Sequence, residues 1–149
     1  MALTVIGSHA AAAADYLERI ESQVYQTAGT AKEIAARGKT CIAQKLASGA
    51  AGGQVIISSD DSMVVANNAM EYTLLIITWK VRSTFTFEAR EGRFKITQTN
   101  IERFDDSLGS WGRIGTWWGS GGDRAEAEFT AMAESVAACV QKPAQQDDW

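Results

Sequence analysis

The chain has 149 residues, 46% hydrophobic and 21% charged, with a net charge of −4. That is enough for one domain with a real core, and the composition is globular rather than disordered. A single histidine, His9, excludes most His-based catalysis and most zinc chemistry. No apolar run approaches the ~18–20 residues a membrane span needs.

In chain order, residues 1–18 open with a short apolar run, Leu3-Thr-Val-Ile6, and an alanine stretch. They fit the back end of a secretory signal or an Ala-rich flexible start. Residues 19–27 fit a strand (Ile20, Ser22, Val24) as well as a helix (Leu17, Ile20, Val24). Thr30-Ala-Lys-Glu33 is a capping box, in which the hydroxyl takes an orphan N–H and the carboxylate reaches back to the cap. It opens a helix over 30–47 whose apolar positions Ile34, Cys41, Ile42 and Leu46 recur at helical spacing. The glycine-rich stretch 49–53 stops it. Residues 54–58 and 63–66 read as short strands around an Asp60-Asp61 turn, and 69–79 is too uniformly apolar for periodicity to assign.

From Val81 to Phe104 the period is two. Val81, Phe85, Phe87 and Ala89 alternate with Arg82, Thr84, Thr86, Glu88 and Arg90. Glu91-Gly92 makes the turn, and Phe94 and Ile96 then alternate with Arg93, Lys95, Thr97 and Thr99. A two-residue loop sets Ala89 opposite Phe94, Phe87 opposite Ile96, Glu88 opposite Lys95 and Thr86 opposite Thr97, sensible pairs on both faces. One greasy and one polar face imply an antiparallel sheet covered on one side by helices. Asp123, with Glu126 three residues on, marks a second helix over 124–141 carrying Phe129, Met132, Ala133, Val136 and Val140, ended by Pro143. Residues 142–149 form a polar tail.

The expected architecture is therefore α+β: an antiparallel sheet of four to five strands with two helices on one face, in a single domain over 19–141. Cys41 and Cys139, 98 residues apart, have no metal or C-x-x-C spacing. They are either two buried thiols or one bridge, and both lie on helix stripes directed at Phe85, Phe87, Phe94 and Ile96, so they are expected to approach each other. A bridge implies an oxidising compartment.

The segment running into Thr30-Ala-Lys-Glu33, the helix carrying Arg37, the Val55-Ile-Ile-Ser-Ser-Asp60 strand and turn, and Phe85-Thr-Phe-Glu-Ala-Arg-Glu-Gly-Arg93-Phe-Lys-Ile with Thr99-Asn100-Ile101 together resemble a bacterial envelope family of unknown function with a TATA-binding-protein-like fold. Its members are often exported or lipoproteins. The resemblance covers residues 20–104. It implies a strand at 19–27, the order strand, helix, four strands, helix, and a periplasmic or secreted location, but no catalytic residues.

Asp60-Asp61 and Asp105-Asp106 are the paired carboxylates. A metal-assisted or acid–base hydrolase would need them, with Asp123, to converge on one cleft, whereas turn chemistry needs nothing more. The stretch from Gly109 to Gly122 lacks the phosphate-loop and dinucleotide patterns. It holds Trp111, Trp117 and Trp118, with Arg113. These tryptophans either plug the end of the core or form an aromatic platform for a glycan, a lipid headgroup or an envelope protein. Arg82, Arg90, Arg93 and Lys95 with Glu88 read as a solvated ladder. The acidic chain and the absence of apolar wedges on the hairpin's polar face argue against nucleic acid. The expected function is a non-enzymatic binding or assembly module without cofactor, using the Trp/Gly loop or the polar sheet face. A carboxylate hydrolase and a purely structural accessory domain are the alternatives.

Overall fold

A computed structural model of the chain describes residues 15–47 and 53–142. The signal-like start, most of the glycine-rich stop and the tail beyond Lys142 lie outside the described residues. In chain order the elements are β1 (Arg19–Glu21), β2 (Tyr25–Gln26), α1 (Ala31–Lys45), β3 (Ile56–Ser59), β4 (Met63–Leu74), β5 (Ile77–Arg90), β6 (Arg93–Asp105), β7 (Ser110–Arg113) and α2 (Gly122–Gln141). All strands form one antiparallel sheet of order β1-β6-β5-β4-β3, with β2 and β7 also paired to β6.

The seven strands among the described residues exceed the expected four to five, but β2, β1 and β7 lie end to end along the outer edge of β6. The sheet is thus five strands across. Residues 19–27 are extended, broken around Ser22, whose hydroxyl accepts the Ile96 N–H at 2.9 Å. Packing begins earlier than Arg19: Tyr16 bridges to Gly115, and Leu17 is buried. The start of the Gly/Trp stretch is β7 rather than loop. The run at 63–66 extends to Leu74, because Asn67 and Asn68 continue the strand instead of ending it.

The β5–β6 register places Ala89 opposite Phe94, Phe87 opposite Ile96, Glu88 opposite Lys95 and Thr86 opposite Thr97, with Gly92 at φ 72° in the turn. Farther along, the register shifts between Arg82 and Thr84, and Asn100 on the facing strand takes φ 51°. This irregularity has the form of a β-bulge, which bends the strand and re-aims its side chains.

Both helices cover one face. Thr30 caps α1 by accepting the Glu33 N–H, while Glu33 meets the Thr30 hydroxyl rather than the cap's backbone N–H. The helix comes so close to the sheet at Gly38 that an added Cβ would lie 2.4 Å from the Phe87 ring. Arg37 donates to Thr27 Oγ1, to the Ala28 carbonyl and to the Val140 carbonyl, tying the approach to α1 and the end of α2 together. The α2 start differs from the expected Asp123 cap. Its cap is Gly121 at φ 80°, and Asp123 lies in the first turn. The reason is steric, since a Cβ on Gly121 would sit 2.2 Å from the Trp79 ring.

Two apolar clusters fill the space between sheet and helices. One gathers Ile34, Cys41, Ile42, Phe85, Phe87, Phe94, Ile96 and Val136 under both helices. The other gathers Leu17, Tyr72, Trp79, Val81, Ile101, Ile114, Ala125 and Phe129 under the start of α2. Buried Asn68, Ser83 and Gln98 are hydrogen-bonded to one another, and Gln98 Nε2 donates to the Phe129 carbonyl at 2.8 Å. In the first cluster Cys41 and Cys139 are joined, with Sγ atoms 2.12 Å and Cα atoms 5.9 Å apart.

Candidate binding surface

The helix-free face of the sheet is polar, and alternation along β5, β6 and β7 decides what it shows. Arg82 and Thr84 from β5, Glu102 from β6, and Trp111 and Arg113 from β7 share this face, and Glu102 pairs across with both Arg82 and Arg113. The Arg82 guanidinium is held by Glu102 at 2.8 Å and lies 4.1 Å from the Trp111 ring centroid. Trp111 is half-buried, edge-on to Phe104. Arg113 lies 3.9 Å over the Tyr16 ring and 3.6 Å from Glu18. The expected ladder therefore has different partners: Arg82 bonds Glu102, and Lys95 bonds Glu21 at 2.6 Å. That ion pair is the main reason Glu21 sits below the usual carboxylate range.

Around Asn100 the bulge opens two adjoining depressions. One, about 350 Å³, is lined by Asn67, Arg82, Thr84, Asn100 and Glu102 among others. The second, about 390 Å³, shares Asn100 and Glu102 and adds Glu18 and Arg113. Asn100 Nδ2 donates to Thr84 Oγ1 at 3.1 Å. Periodicity alone could not point to Asn67 and Asn100, because nothing in it marks where a ladder slips by one residue.

The three loop tryptophans separate. Trp111 belongs to the polar face. Trp117 packs on Gly115 and meets Tyr16 edge-on at 5.9 Å, yet is 58% exposed. Trp118 is 99% exposed. Neither Trp117 nor Trp118 plugs the core; Trp79 does that, with the Arg103 guanidinium 3.5 Å over its ring.

The carboxylates do not converge. Asp60 Oδ1 accepts the Ser62 and Met63 N–H groups in the β3–β4 turn, and Asp105 Oδ1 accepts those of Ser107 and Leu108 in the β6–β7 turn. The first turn lies beside the β5–β6 hairpin and the second at the other end of the sheet. These bonds hold both carboxyls below their ordinary range, and for Asp105 the Ser107 hydroxyl is the largest cause. Asp123 lies in the first turn of α2, at the end opposite Asp60. Among the described residues no helix is long and apolar enough to cross a membrane.

No family model and no curated protein matches the chain. Two crystal structures resemble it. A DUF4468 family protein from Bacteroides ovatus superposes with a TM-score of 0.61 at 12% identity, over 90% of this chain and 95% of that one. A TBP-like protein from Parabacteroides distasonis gives 0.64 at 9% identity, over 83% of this chain and 92% of that one. At such identities the likeness establishes the fold, which is TATA-binding-protein-like, and leaves function to the site.

Proposed function

We propose that this TATA-binding-protein-like chain is a non-enzymatic, exported envelope domain that needs no cofactor and binds a glycan on the polar face of its sheet. The observation that carries this is the pair of adjoining depressions around Asn100 and Glu102, one of them lined by Arg82, whose guanidinium lies against the Trp111 indole. A sugar offers donors and acceptors at short intervals around an apolar ring face. The surface answers with amides (Asn67, Asn100), a carboxylate (Glu102) and guanidinium groups (Arg82, Arg113), each of the latter lying over an aromatic ring. Arg82 and Arg113 are already oriented by Glu102, Glu18 and the aromatic rings, so little side-chain freedom is lost on binding. The cross-link between the helices supports a periplasmic or secreted location, since such bonds persist in oxidising compartments.

Titration of the intrinsic tryptophan fluorescence with soluble peptidoglycan fragments, and with neutral oligosaccharides, tests this. Trp111→Ala, which removes the ring that orients Arg82, is expected to weaken binding about tenfold, the scale of aromatic and arginine anchors at interfaces. Asn100→Gly is expected to weaken it without loss of stability, because glycine accepts φ 51° more readily than asparagine. Saturable binding that survives both substitutions would place the glycan elsewhere. Binding only to phospholipid headgroups or to an envelope protein would replace the glycan as ligand.

A further inference from the structure

The β4–β5 hairpin is longer than the sheet that supports it. Its pairing runs from Met63↔Glu88 to Leu74↔Ile77, whereas β6 accompanies β5 only as far as Val81↔Arg103, and β3 accompanies β4 only as far as Ala66. The last residues form a two-strand ribbon projecting past Trp79. Its turn is Leu75-Ile76, which are 89% and 96% exposed, and Ile77 beside them is also exposed.

This tip is costly to the fold in two ways. Leu75 sits at φ 60° in a two-residue hairpin turn, where glycine is the ordinary occupant and a branched side chain is strained. Both turn side chains also stand in water, so neither returns packing energy. Other exposed apolar groups share this end. Leu108, 75% exposed, is in the β6–β7 turn. Trp118 is in the loop anchored by the Thr116 N–H on the Asp15 carbonyl and by Gly121 against Trp79.

We infer that this end of the molecule enters the interfacial layer of a phospholipid bilayer, with Leu75 and Ile76 as the inserting residues and Trp118 at headgroup level. Three observations favour a bilayer over a protein. The apolar groups lie on separate turns and loops rather than in one flat patch. A ribbon tip of two or three side chains falls short of the ~800 Å² per partner of a stable protein interface, whereas lipid closes around a protrusion of any shape. The tip, Thr73-Leu-Leu-Ile-Ile-Thr78, holds no ionisable group, and the first charges behind it, Glu71 and Lys80, are cross-strand partners, so entry of the ribbon tip itself desolvates little charge. The ribbon reaches about 10 Å beyond Trp79, counted at ~3.4 Å per residue, which matches the depth of interfacial insertion. Indole rings favour the boundary between water and acyl chains.

The experiment uses the full chain and phosphatidylcholine vesicles, read by co-flotation and by quenching of tryptophan with brominated lipid. Leu75→Gly with Ile76→Ser supplies the turn its preferred residues, so the double variant is expected to be at least as stable as the parent while losing tenfold or more in vesicle partitioning. Ile57→Ser, an exposed apolar change on β3, is expected to leave partitioning unchanged. Failure of the parent to float with vesicles overturns the inference, as does undiminished flotation of the double variant. A concentration-dependent dimer abolished by the double variant, without flotation, overturns it in favour of a second copy. None of these substitutions touches the Asn100 depressions, so the glycan and bilayer proposals fail independently.

Discussion

At the scale of single residues, Gly38 decides how closely α1 approaches the sheet. Gly38 meets the flat ring of Phe87, a buried side chain stacked on Phe94 at 4.9 Å, so the ring has no room to yield. Gly38→Ala is expected to cost about 1–3 kcal/mol, as overpacking of a filled core does. A lowered urea midpoint at unchanged m-value would show it. The turn carboxylates act through charge instead. Asp60 is held below its ordinary range by the N–H groups of Ser62 and Met63, bonds that exist only in the fold. The folded value lies below the unfolded one, so the contribution is complete above the unfolded value of ~3.9 and disappears as pH falls through the folded one. Asp60→Ala is therefore expected to lower stability at neutral pH and to flatten the loss as pH falls below about 5. A series of urea unfolding curves through that fall in pH reads both effects; an unaltered acid slope would discard Asp60 as a contributor.

At the scale of elements, legibility followed locality. The β5–β6 hairpin was readable because its alternation, two-residue turn and cross-strand charges all concern neighbours in sequence. The capping box at Thr30 was readable for the same reason. Residues 69–79 were not, because period two is visible only when the two faces differ. On the ribbon, Met70 and Tyr72 alternate with Glu71 and Thr73, and Trp79 lies between Thr78 and Lys80, but the four apolar residues Leu74–Ile77 at the tip interrupt the alternation and leave each arm too short to read. The strand through Asn67-Asn68 was hidden because buried asparagine needs partners, Ser83 and Gln98, that lie 15 and 30 residues away. The α2 cap at Gly121 was hidden because Trp79, 42 positions earlier, determines it. The candidate surface divides in the same manner. Trp111 and Arg113 were nameable from composition, while Asn100 acquires its place from a slip in strand pairing that no periodicity records.

At the scale of the whole molecule, the cross-link joins the two helices at positions 98 apart. In the chain-entropy picture, closing a loop of this length contributes up to ~4.7 kcal/mol, and removing such a bond commonly costs about 2–5 kcal/mol. Cys41→Ala with Cys139→Ala is expected to lower unfolding stability within that range while leaving the native fold, and calorimetry with and without reductant on the parent provides the matching comparison. If reductant leaves the parent's transition where it was, the bond carries no such role. Where the bond sits has a further consequence. It lies in the cluster built on Phe87 and Val136, on one side of the Asn68–Ser83–Gln98 layer, whereas Trp79, Tyr72 and the apolar ribbon belong to the other side, which contains no α1 residue. The covalent tie thus holds α1 to α2 within one cluster, and the turn that carries Leu75 and Ile76 belongs to the half that it does not cross-link.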